Sequence, residues 1–348
     1  MVTNTTLPFW FDHVEGVVSY TFMIATFITI PVGLLEIFIL INLRNTTYKG
    51  MFYQIFIIGL TVDMISLLNN YFGCVFPAKG YFTDLYLSQG VLVGKIYLVV
   101  AWTSRGIQGC TVVALALNRA TAVCLPIKHK RIWHSKYSPL IHVFQIGIGA
   151  CVGLSLFSQS FHWKVENDGL YVQFDNLTFR SHFFIAANII ESFFVALIII
   201  INITMLMYFK KKYRMRTISL AKGSAHNHKI ISEKQRQENN LTIVAVLTCG
   251  AEIAYYIYVI YVFGINTNVP TRVFYMWYDI INDIYCGLSC WLLIIYSRSM
   301  RSHVLRILRF PNRGCLQLSP SEHHPSSATN PEILKKSSIR RMDLPTPC

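Results

Sequence analysis

The fold is decided by residues 90–133, which read GVLVGKIYLVVAWTSRGIQGCTVVALALNRATAVCLPIKHKRIW. The apolar run Val91–Leu117 has roughly 27 residues, which at about 1.5 Å per residue is long enough to cross a bilayer core of about 30 Å. The run ends at Asn118 and Arg119, and Pro126 and a basic segment follow. Because proline lacks an N–H and clashes with the preceding turn, we expect the helix to end near Pro126. The stretch therefore predicts a membrane-spanning helix that ends at an arginine and leads into a charged, hydrated loop.

The composition of the chain is that of a membrane protein. Of its 348 residues, 53% are hydrophobic and 14% are charged, whereas a soluble domain carries about 25% charged residues. The net charge of +14 would suit nucleic acid or an anionic surface. The lysines and arginines, however, lie in short segments between apolar runs. We therefore expect membrane lipids as partners and no binding of nucleic acid.

Apolar runs of at least about 18 residues identify seven membrane spans. The spans cover about residues 18–42, 51–75, 91–117, 139–160, 182–208, 241–264 and 273–296. The connecting segments and the tail on one side hold 25 lysines and arginines, and those on the other side hold 4. By the positive-inside rule, this difference places the amino terminus outside and the tail in the cytosol. The predicted fold class is an all-α membrane protein, a seven-transmembrane helix bundle.

Three further segments flank the bundle of residues 18–296. Residues 1–17 are expected to be an extracellular amino terminus that lacks Lys, Arg and an apolar core, so that the first span acts as its own targeting signal. Residues 297–310 place cations and aliphatics at helical spacing, which predicts an amphipathic helix on the inner membrane surface. Residues 311–348, rich in Pro, Ser and Lys, are expected to form a disordered cytoplasmic tail. Cys315 in that tail is a candidate for palmitoylation, with an unmodified thiol as the alternative.

Motifs for modification and catalysis are few. Sequons at Asn4 and Asn176 lie in segments expected to be outside and are candidate N-glycosylation sites. The nine cysteines show no spacing typical of a metal site, and no Gly-rich phosphate loop or HExxH motif occurs. The sequence thus predicts no metal, no cofactor and no enzyme activity. The functional chemistry is to be sought among polar residues inside the spans.

One arginine and a set of acids lie inside the predicted spans. Ionisable groups at mid-membrane cost about 2.5–3.5 kcal/mol each, so we expect them to face the bundle interior and to have partners. Arg105 lies about 21 Å from Arg119 along the same helix. The acids at a depth comparable to that of Arg105 are Asp63, Glu191, Glu252, Asp279 and Asp283.

Two interpretations of this set remain open. In the first, Arg105 forms a structural ion pair with an acid of span six or seven and fixes the register of the helices. In the second, a polar ligand binds to these charges in the outer half of the bundle. The candidate pocket residues are Trp102, Arg105, Glu191, Glu252, Asp279 and Asp283. Further aromatic residues that either wall the pocket or form an interfacial belt are Tyr255, Tyr256, Tyr258, Tyr261, Tyr275, Trp277 and Tyr278. For any single residue of this set, the structural ion pair is the favoured interpretation. For the set as a whole, a part in ligand binding or switching is favoured.

Arg119, at the end of the third span, also has two interpretations. It is either a boundary charge that snorkels to the membrane interface, or a switch that binds neighbouring helix ends in one state and is released in another. Its position before Pro126 and the basic segment 128–133 favours the switch.

Residues 118–133 (NRATAVCLPIKHKRIW) resemble the corresponding stretch of nematode serpentine chemoreceptors of the gamma superfamily, class gamma or class V, which are seven-helix G-protein-coupled receptors. The resemblance covers roughly residues 15–310, and outside the Asn-Arg…Pro…Ile-Trp pattern it rests on topology. It implies a plasma-membrane receptor of sensory neurons and their cilia, which binds a small-molecule or peptide-like cue and signals through a heterotrimeric G protein. The residues that it implies in switching and G-protein coupling are Asp63, Asn118, Arg119, Pro126, Trp133 and Tyr296. Among them Arg119 would be the transducer arginine, and Asp63 would match the acidic residue of span two in rhodopsin-like receptors.

The sequence departs from the rhodopsin-like pattern in several places. Asn118 replaces the acid that usually precedes the arginine, and span six has no proline. Span seven keeps only Tyr296 of the Asn-Pro-x-x-Tyr motif. No cysteine occurs in residues 161–181, so the usual disulfide from this loop to the third span cannot form. These departures concern activation rather than topology.

A ligand-gated channel or a transporter is the alternative function from another class. The spans lack the paired Gly/Pro interruptions that transporters use at mid-membrane, and an odd number of spans argues against duplicated halves. A retinal-type light pump would need a Schiff-base lysine in span seven, and residues 273–296 contain none. An insect-type odorant channel would need the opposite orientation. The sequence therefore predicts a receptor in which an outer ligand favours a packing of the bundle that opens its cytosolic face.

Overall fold

The computed structural model describes residues 9–48, 50–89, 91–133, 138–166, 169–220, 226–261 and 270–309. The predictions for Asn4, for the tail 311–348 and for Cys315 lie outside these residues. In chain order the helices are α1 (Phe9–Asn42), α2 (Met51–Asn70), α3 (Phe76–Ala78), α4 (Thr83–Gln89), α5 (Val91–Cys124), α6 (Pro126–Ile132), α7 (Ser138–Leu154), α8 (Leu177–Leu220), α9 (His226–Ile260), α10 (Thr271–Tyr296) and α11 (Arg298–Arg309). A π-helical turn, Tyr71–Val75, joins α2 to α3.

Seven of these helices, α1, α2, α5, α7, α8, α9 and α10, form the bundle. Within the described residues, all of them except α7 are long and apolar enough to cross a membrane. The fourth, α7, is apolar but has 17 residues, which at about 1.5 Å per residue span roughly 26 Å. The predicted seven-helix bundle is confirmed, with α7 as its short member.

The helix boundaries differ from the predicted spans at several positions, since α5, α8 and α9 extend beyond the apolar runs, and two further differences have a local cause. α1 begins at Phe9, before the predicted start at residue 18. Its first turns are held against α10 because Arg272 binds Asp12 at 2.8 Å and Glu15 at 2.5 Å. α7 ends at Leu154 rather than at residue 160, because residues 155–158 form turns.

The third long helix, α5, ends near Pro126, as the sequence predicts. α5 ends at Cys124, and α6 begins at Pro126. Proline suits the first position of a helix, since the N–H that it lacks would have no partner there. α6 therefore forms a separate short helix that carries the basic residues of segment 128–133.

A β-hairpin follows α7, in a segment that the sequence predicts to be a loop. Strand β1 (Phe161–Glu166) pairs with β2 (Gly169–Phe174) in antiparallel register, with Trp163 opposite Val172. We call the end of the bundle that carries this hairpin the hairpin end, and the opposite end, where Arg119 lies, the Arg119 end. The alternation of apolar and polar residues in FHWKV, and the aromatic and β-branched residues of GLYVQF, are the sequence signals that predict the strands.

Glycines bring α7 close to α5. Gly149 and Gly153 are four residues apart, the spacing that lets two helices approach closely in a membrane. A Cβ atom on Gly149 would lie 2.5 Å from the carbonyl oxygen of Thr103 on α5, and a Cβ on Gly153 would lie 2.6 Å from that of Val99. These two glycines therefore serve the close packing of α7 on α5.

Candidate functional site

A buried ion cluster joins three helices in the half of the bundle toward the hairpin end. Arg105 on α5 donates from Nη1 to Oε2 of Glu252 on α9 at 3.2 Å, and from Nη2 to Oε1 at 2.5 Å. Its Nε donates to Oε1 of Glu191 on α8 at 2.7 Å. Glu252 is 1% exposed and Glu191 8%. Bidentate, charge-assisted bonds of this kind are the strong class of hydrogen bond, so the cluster fixes the positions of the three helices.

Aromatic rings complete the surroundings of Arg105. Its guanidinium carbon lies 4.0 Å from the ring centroid of Tyr255 on α9 and 5.1 Å from that of Tyr285 on α10. Both distances are within the range of cation–π attraction. Arg105 thereby contacts the fifth, sixth and seventh helices of the bundle.

Arg105 binds two of the five acids that the sequence places at its depth. Glu252 on the sixth span and Glu191 on the fifth, both among the acids predicted at the depth of Arg105, bind it. Asp279 instead accepts a bond from Nδ2 of Asn70 at 3.1 Å, and Asp283 accepts one from the Tyr71 hydroxyl at 2.7 Å. Both aspartates thus bind the end of α2 and its π-helical turn.

A cavity of about 440 Å³ lies between the ion cluster and the hairpin. This volume lies in the range of small-molecule sites. Of the predicted pocket residues, Trp102, Arg105 and Glu191 line it. The walls are largely aromatic, and the aromatic lining residues are Tyr97, Trp102, Tyr171, Phe174, Phe184, Tyr255, Tyr258, Phe274, Tyr275 and Tyr278. The described lining does not include the predicted residues Glu252, Asp279 and Asp283, or the aromatics Tyr256, Tyr261 and Trp277.

The hairpin lines the cavity at the hairpin end, through residues that include Tyr171 and Phe174, and we call this side of the cavity its mouth. Tyr171 on β2 stacks on Tyr275 of α10 with their ring centroids 4.9 Å apart. The ring centroid of Trp163 on β1 lies 5.3 Å from that of Tyr86 on α4. Phe161 and Phe174 at the ends of the strands are buried in a cluster with Leu156 and Phe183. Apolar and aromatic packing therefore holds a hairpin that has no cysteine to anchor it.

Polar residues continue from the ion cluster toward the Arg119 end. Nε2 of Gln108, one turn after Arg105 on α5, donates to Oδ1 of Asp63 on α2 at 2.8 Å. A void of about 20 Å³ lies between Arg105, Gln108 and Asn282. A second void of about 20 Å³ borders Asp63. Each is large enough for one water molecule with polar partners.

Arg119 lies at the other end of α5 in different surroundings. It is 9% exposed, and Nη2 donates to Oδ1 of Asn118 at 2.9 Å. Its guanidinium carbon lies 4.2 Å from the ring centroid of Phe52 on α2. The guanidinium is therefore buried against Phe52 rather than exposed to water at the membrane interface, and the switch stays a prediction.

The other residues predicted for switching surround the same end. Nε1 of Trp133 donates to Oγ1 of Thr121 at 2.7 Å, which ties the end of α6 to the last turns of α5. The backbone carbonyl of Tyr296 accepts a bond from Nδ2 of Asn240 at 2.8 Å, which joins α10 to α9. Pro126 begins α6. The predicted switch residues, apart from Asp63, therefore belong to elements that meet at the Arg119 end.

Helix α11 packs beside this end through the loop that follows α1. The buried Tyr48 donates its hydroxyl to Oγ of Ser299 at 3.2 Å, and Met300 is 0% exposed. Partial burial and the nearby Arg306 lower the pKa of His303 below its ordinary value. The imidazole faces Tyr48 with a distance of 6.4 Å between the ring centroids.

The candidate glycosylation site Asn176 lies at the hairpin end. It is exposed, and its Oδ1 accepts a bond from the backbone N–H of Phe179 at 3.0 Å. This bond is that of an N-cap residue at the start of α8.

Comparisons with known proteins place this geometry among relatives. Residues 22–310 match the protein family described as serpentine type 7TM GPCR chemoreceptor Srv. The chain is similar to the serpentine receptor class V-1 of Caenorhabditis elegans, with 23% identity over 308 residues that cover 86% of this chain and 92% of that protein. Its fold is similar to the crystal structure of squid rhodopsin, with a TM-score of 0.63 and 12% identity over 85% of this chain and 81% of that one. At this identity the structural similarity shows the shared fold alone.

Proposed function

Because this chain belongs to the Srv family of serpentine seven-transmembrane G-protein-coupled chemoreceptors, we propose that it binds a chemical cue in the cavity and transmits the signal to a heterotrimeric G protein. The family is class V of the serpentine receptors, one of the two classes that the sequence resembles. It is a family of receptors and not of enzymes. The ligand site, the switch residues and the orientation in the membrane are parts of the proposal.

The hairpin end faces the outside in this proposal. The 25 lysines and arginines on one side against 4 on the other support an external amino terminus and a cytosolic Arg119 end. With this orientation, the cavity opens to the medium and the exposed Asn176 is accessible to glycosylation. Helix α11 and its arginines lie on the cytosolic surface of the plasma membrane, in contact with lipid headgroups. As a chemoreceptor, the chain would work in the membrane of sensory neurons, including their cilia.

The ion cluster at the floor of the cavity is the observation that supports this function best. Arg105 and Glu191 line the cavity and at the same time join α5, α8 and α9. A ligand that contacts either side chain changes the balance of bonds among three helices. A ligand that binds one packing of these helices more tightly shifts the population toward that packing.

The route from cavity to cytosol follows α5. Gln108 and Asp63 continue the polar contacts beneath the cluster, and the helix ends with Arg119 and the tie from Thr121 to Trp133. We assign Arg119 the role of the switch: it stays on Phe52 in the resting packing and is released when the cytosolic helix ends separate. The surface formed by Asn118, Pro126, Trp133 and Tyr296 would then meet the G protein.

The experiment is a nucleotide-exchange assay in cells that express the chain with a panel of Gα subunits. Volatile and water-soluble compounds are screened for stimulated exchange, and active compounds are tested on Arg119→Ala. We expect Arg119→Ala to lose stimulation while an amino-terminal epitope on intact cells shows normal surface expression.

Two outcomes would contradict this function. One is an ion current evoked by the active compounds in cells without functional Gα subunits, which would assign the chain to the channels. The other is full stimulation through Arg119→Ala, which would remove Arg119 from the switch.

A further inference from the structure

The ion cluster has more negative than positive groups. Arg105 faces two carboxylates, and both oxygens of Glu252 bind its guanidinium. Glu191 uses only Oε1 for Arg105. Its Oε2 is buried and has no hydrogen-bond partner among the described residues. Burying a carboxylate oxygen without a donor is unfavourable, so this atom marks a place where a donor is missing.

The missing donor would come from the cavity. Glu191 is one of its lining residues, and so is Asn188, which lies one helical turn closer to the mouth on α8. Glu252, whose oxygens are both engaged, is not among the described lining residues. The unsatisfied oxygen therefore belongs to the carboxylate that a bound molecule can reach.

The walls around the cluster favour a cation. Tyr97, Trp102, Tyr258 and Tyr278 line the cavity together with Tyr255, the ring that already packs against Arg105. The faces of tyrosine and tryptophan rings carry negative charge and attract ammonium groups. An aromatic enclosure next to a carboxylate is the arrangement by which proteins bind organic cations.

Other ligand chemistries fit the cavity less well. An anion at the ion cluster would be repelled by the carboxylate of Glu191, and Nε, Nη1 and Nη2 of Arg105 each already bind a carboxylate. A purely apolar ligand would leave Oε2 of Glu191 buried without a donor. Arg180 is a second cation of the lining, but it lies near the mouth beside Phe184. Along α8 it is about 16 Å from Glu191, so it does not neutralise the carboxylate of Glu191.

We propose that the ligand is a small organic cation, an arylalkylamine, whose ammonium donates to Oε2 of Glu191 while its ring packs against the tyrosines. This inference rests on the proposed function, because it names the ligand class of the same cavity. The ammonium then shares the carboxylate of Glu191 with Arg105, so the molecule that fills the cavity weakens the bond that joins α5 to α8.

The test measures binding without any G protein. The full-length receptor is purified in nanodiscs, and its melting temperature is recorded with sets of three compounds that share one aryl body and differ in the end group: amine, alcohol and carboxylate. Phenethylamine, 2-phenylethanol and 3-phenylpropionate are the smallest set, and larger aryl bodies up to the cavity volume form the others. We expect at least one amine to raise the melting temperature above its matched alcohol and carboxylate. We expect its dissociation constant to increase at least tenfold in Glu191→Gln.

Glu36→Gln is the matched control, because Glu36 is a fully buried glutamate on α1 that is not among the described lining residues. It should leave the amine preference within twofold. Three results would overturn the proposal: no amine that exceeds its matched alcohol, a carboxylate that binds best, or an equal loss of affinity in both variants. The two claims fail separately. Amine binding with no nucleotide exchange on any Gα would overturn the proposed function and leave the ligand class unaffected.

Discussion

The two arginines of α5 lie toward opposite ends of one helix and in different surroundings. Arg105 binds two buried carboxylates through three nitrogen atoms and lies between two tyrosine rings. The contacts described for Arg119 are with its neighbour Asn118 and with the ring of Phe52. A paired guanidinium in a dry interior is costly to disturb. In the proposed function, the hairpin end therefore keeps its packing, and the Arg119 end is the part that changes.

The largest expected effect is the loss of Arg105. Arg105→Ala leaves the carboxylates of Glu191 and Glu252 buried without their cation, which destabilises the fold by about 3–5 kcal/mol. We expect a strong decrease in surface expression and in the melting temperature of the purified protein. Arg119→Ala should lower both quantities much less. Equal losses in the two variants would remove the contrast between the ends.

The packing of α7 on α5 gives the second largest effect. In Gly149→Val the new side chain would press on the backbone of α5 at Thr103 and Ile107, and overpacking of this kind costs about 1–3 kcal/mol. The melting temperature should fall clearly. Gly147→Val is the control on the same helix, since a Cβ at Gly147 meets no atom within 4 Å. A fall of the same size in the control would show that helix propensity, rather than contact with α5, sets the effect.

The hairpin is tested by a smaller change. Tyr171→Leu removes the stacking on Tyr275, which is worth about 0.5–1.5 kcal/mol beyond the buried area. The melting temperature should fall slightly, and a bound ligand should dissociate several-fold faster because the mouth opens more often. Val165→Ala, at an exposed position of the same hairpin, should change neither quantity. Unchanged dissociation in Tyr171→Leu would mean that the ligand leaves by another route.

The smallest effect on stability is expected at the Arg119 end. Thr121→Val removes the oxygen that accepts from Trp133 and costs about 1 kcal/mol or less, because the contact is only partly buried. Ligand affinity should stay the same while the rate of nucleotide exchange at saturating ligand changes. The control is Thr61→Val, whose hydroxyl donates to the Ile57 carbonyl of its own helix. A shift in ligand affinity without a change in exchange would contradict the division between the two ends.

The sequence was sufficient for the bundle and for part of the ion cluster. Hydropathy identifies the long helices because each must satisfy its own backbone in lipid, and a lone Arg105 among buried acids predicts a pair. Helical periodicity does not say which helices are neighbours, so the choice of Glu191 and Glu252 over Asp279 and Asp283 needs the three-dimensional packing. The hairpin was missed because its alternating residues lie in a short segment between two spans. The start of α1 at Phe9 was missed because polar residues such as Asp12 continue a helix that leaves the apolar region.

The hairpin without a cysteine has a consequence for how molecules reach the interior. A flap that is fastened by ring faces such as Tyr171 on Tyr275, rather than by a sulfur bridge, can lift and settle without any covalent bond being broken. Under the proposed function, ligands would exchange at the pace of loop motion, and thiol reductants in the surrounding medium would leave the hairpin in place.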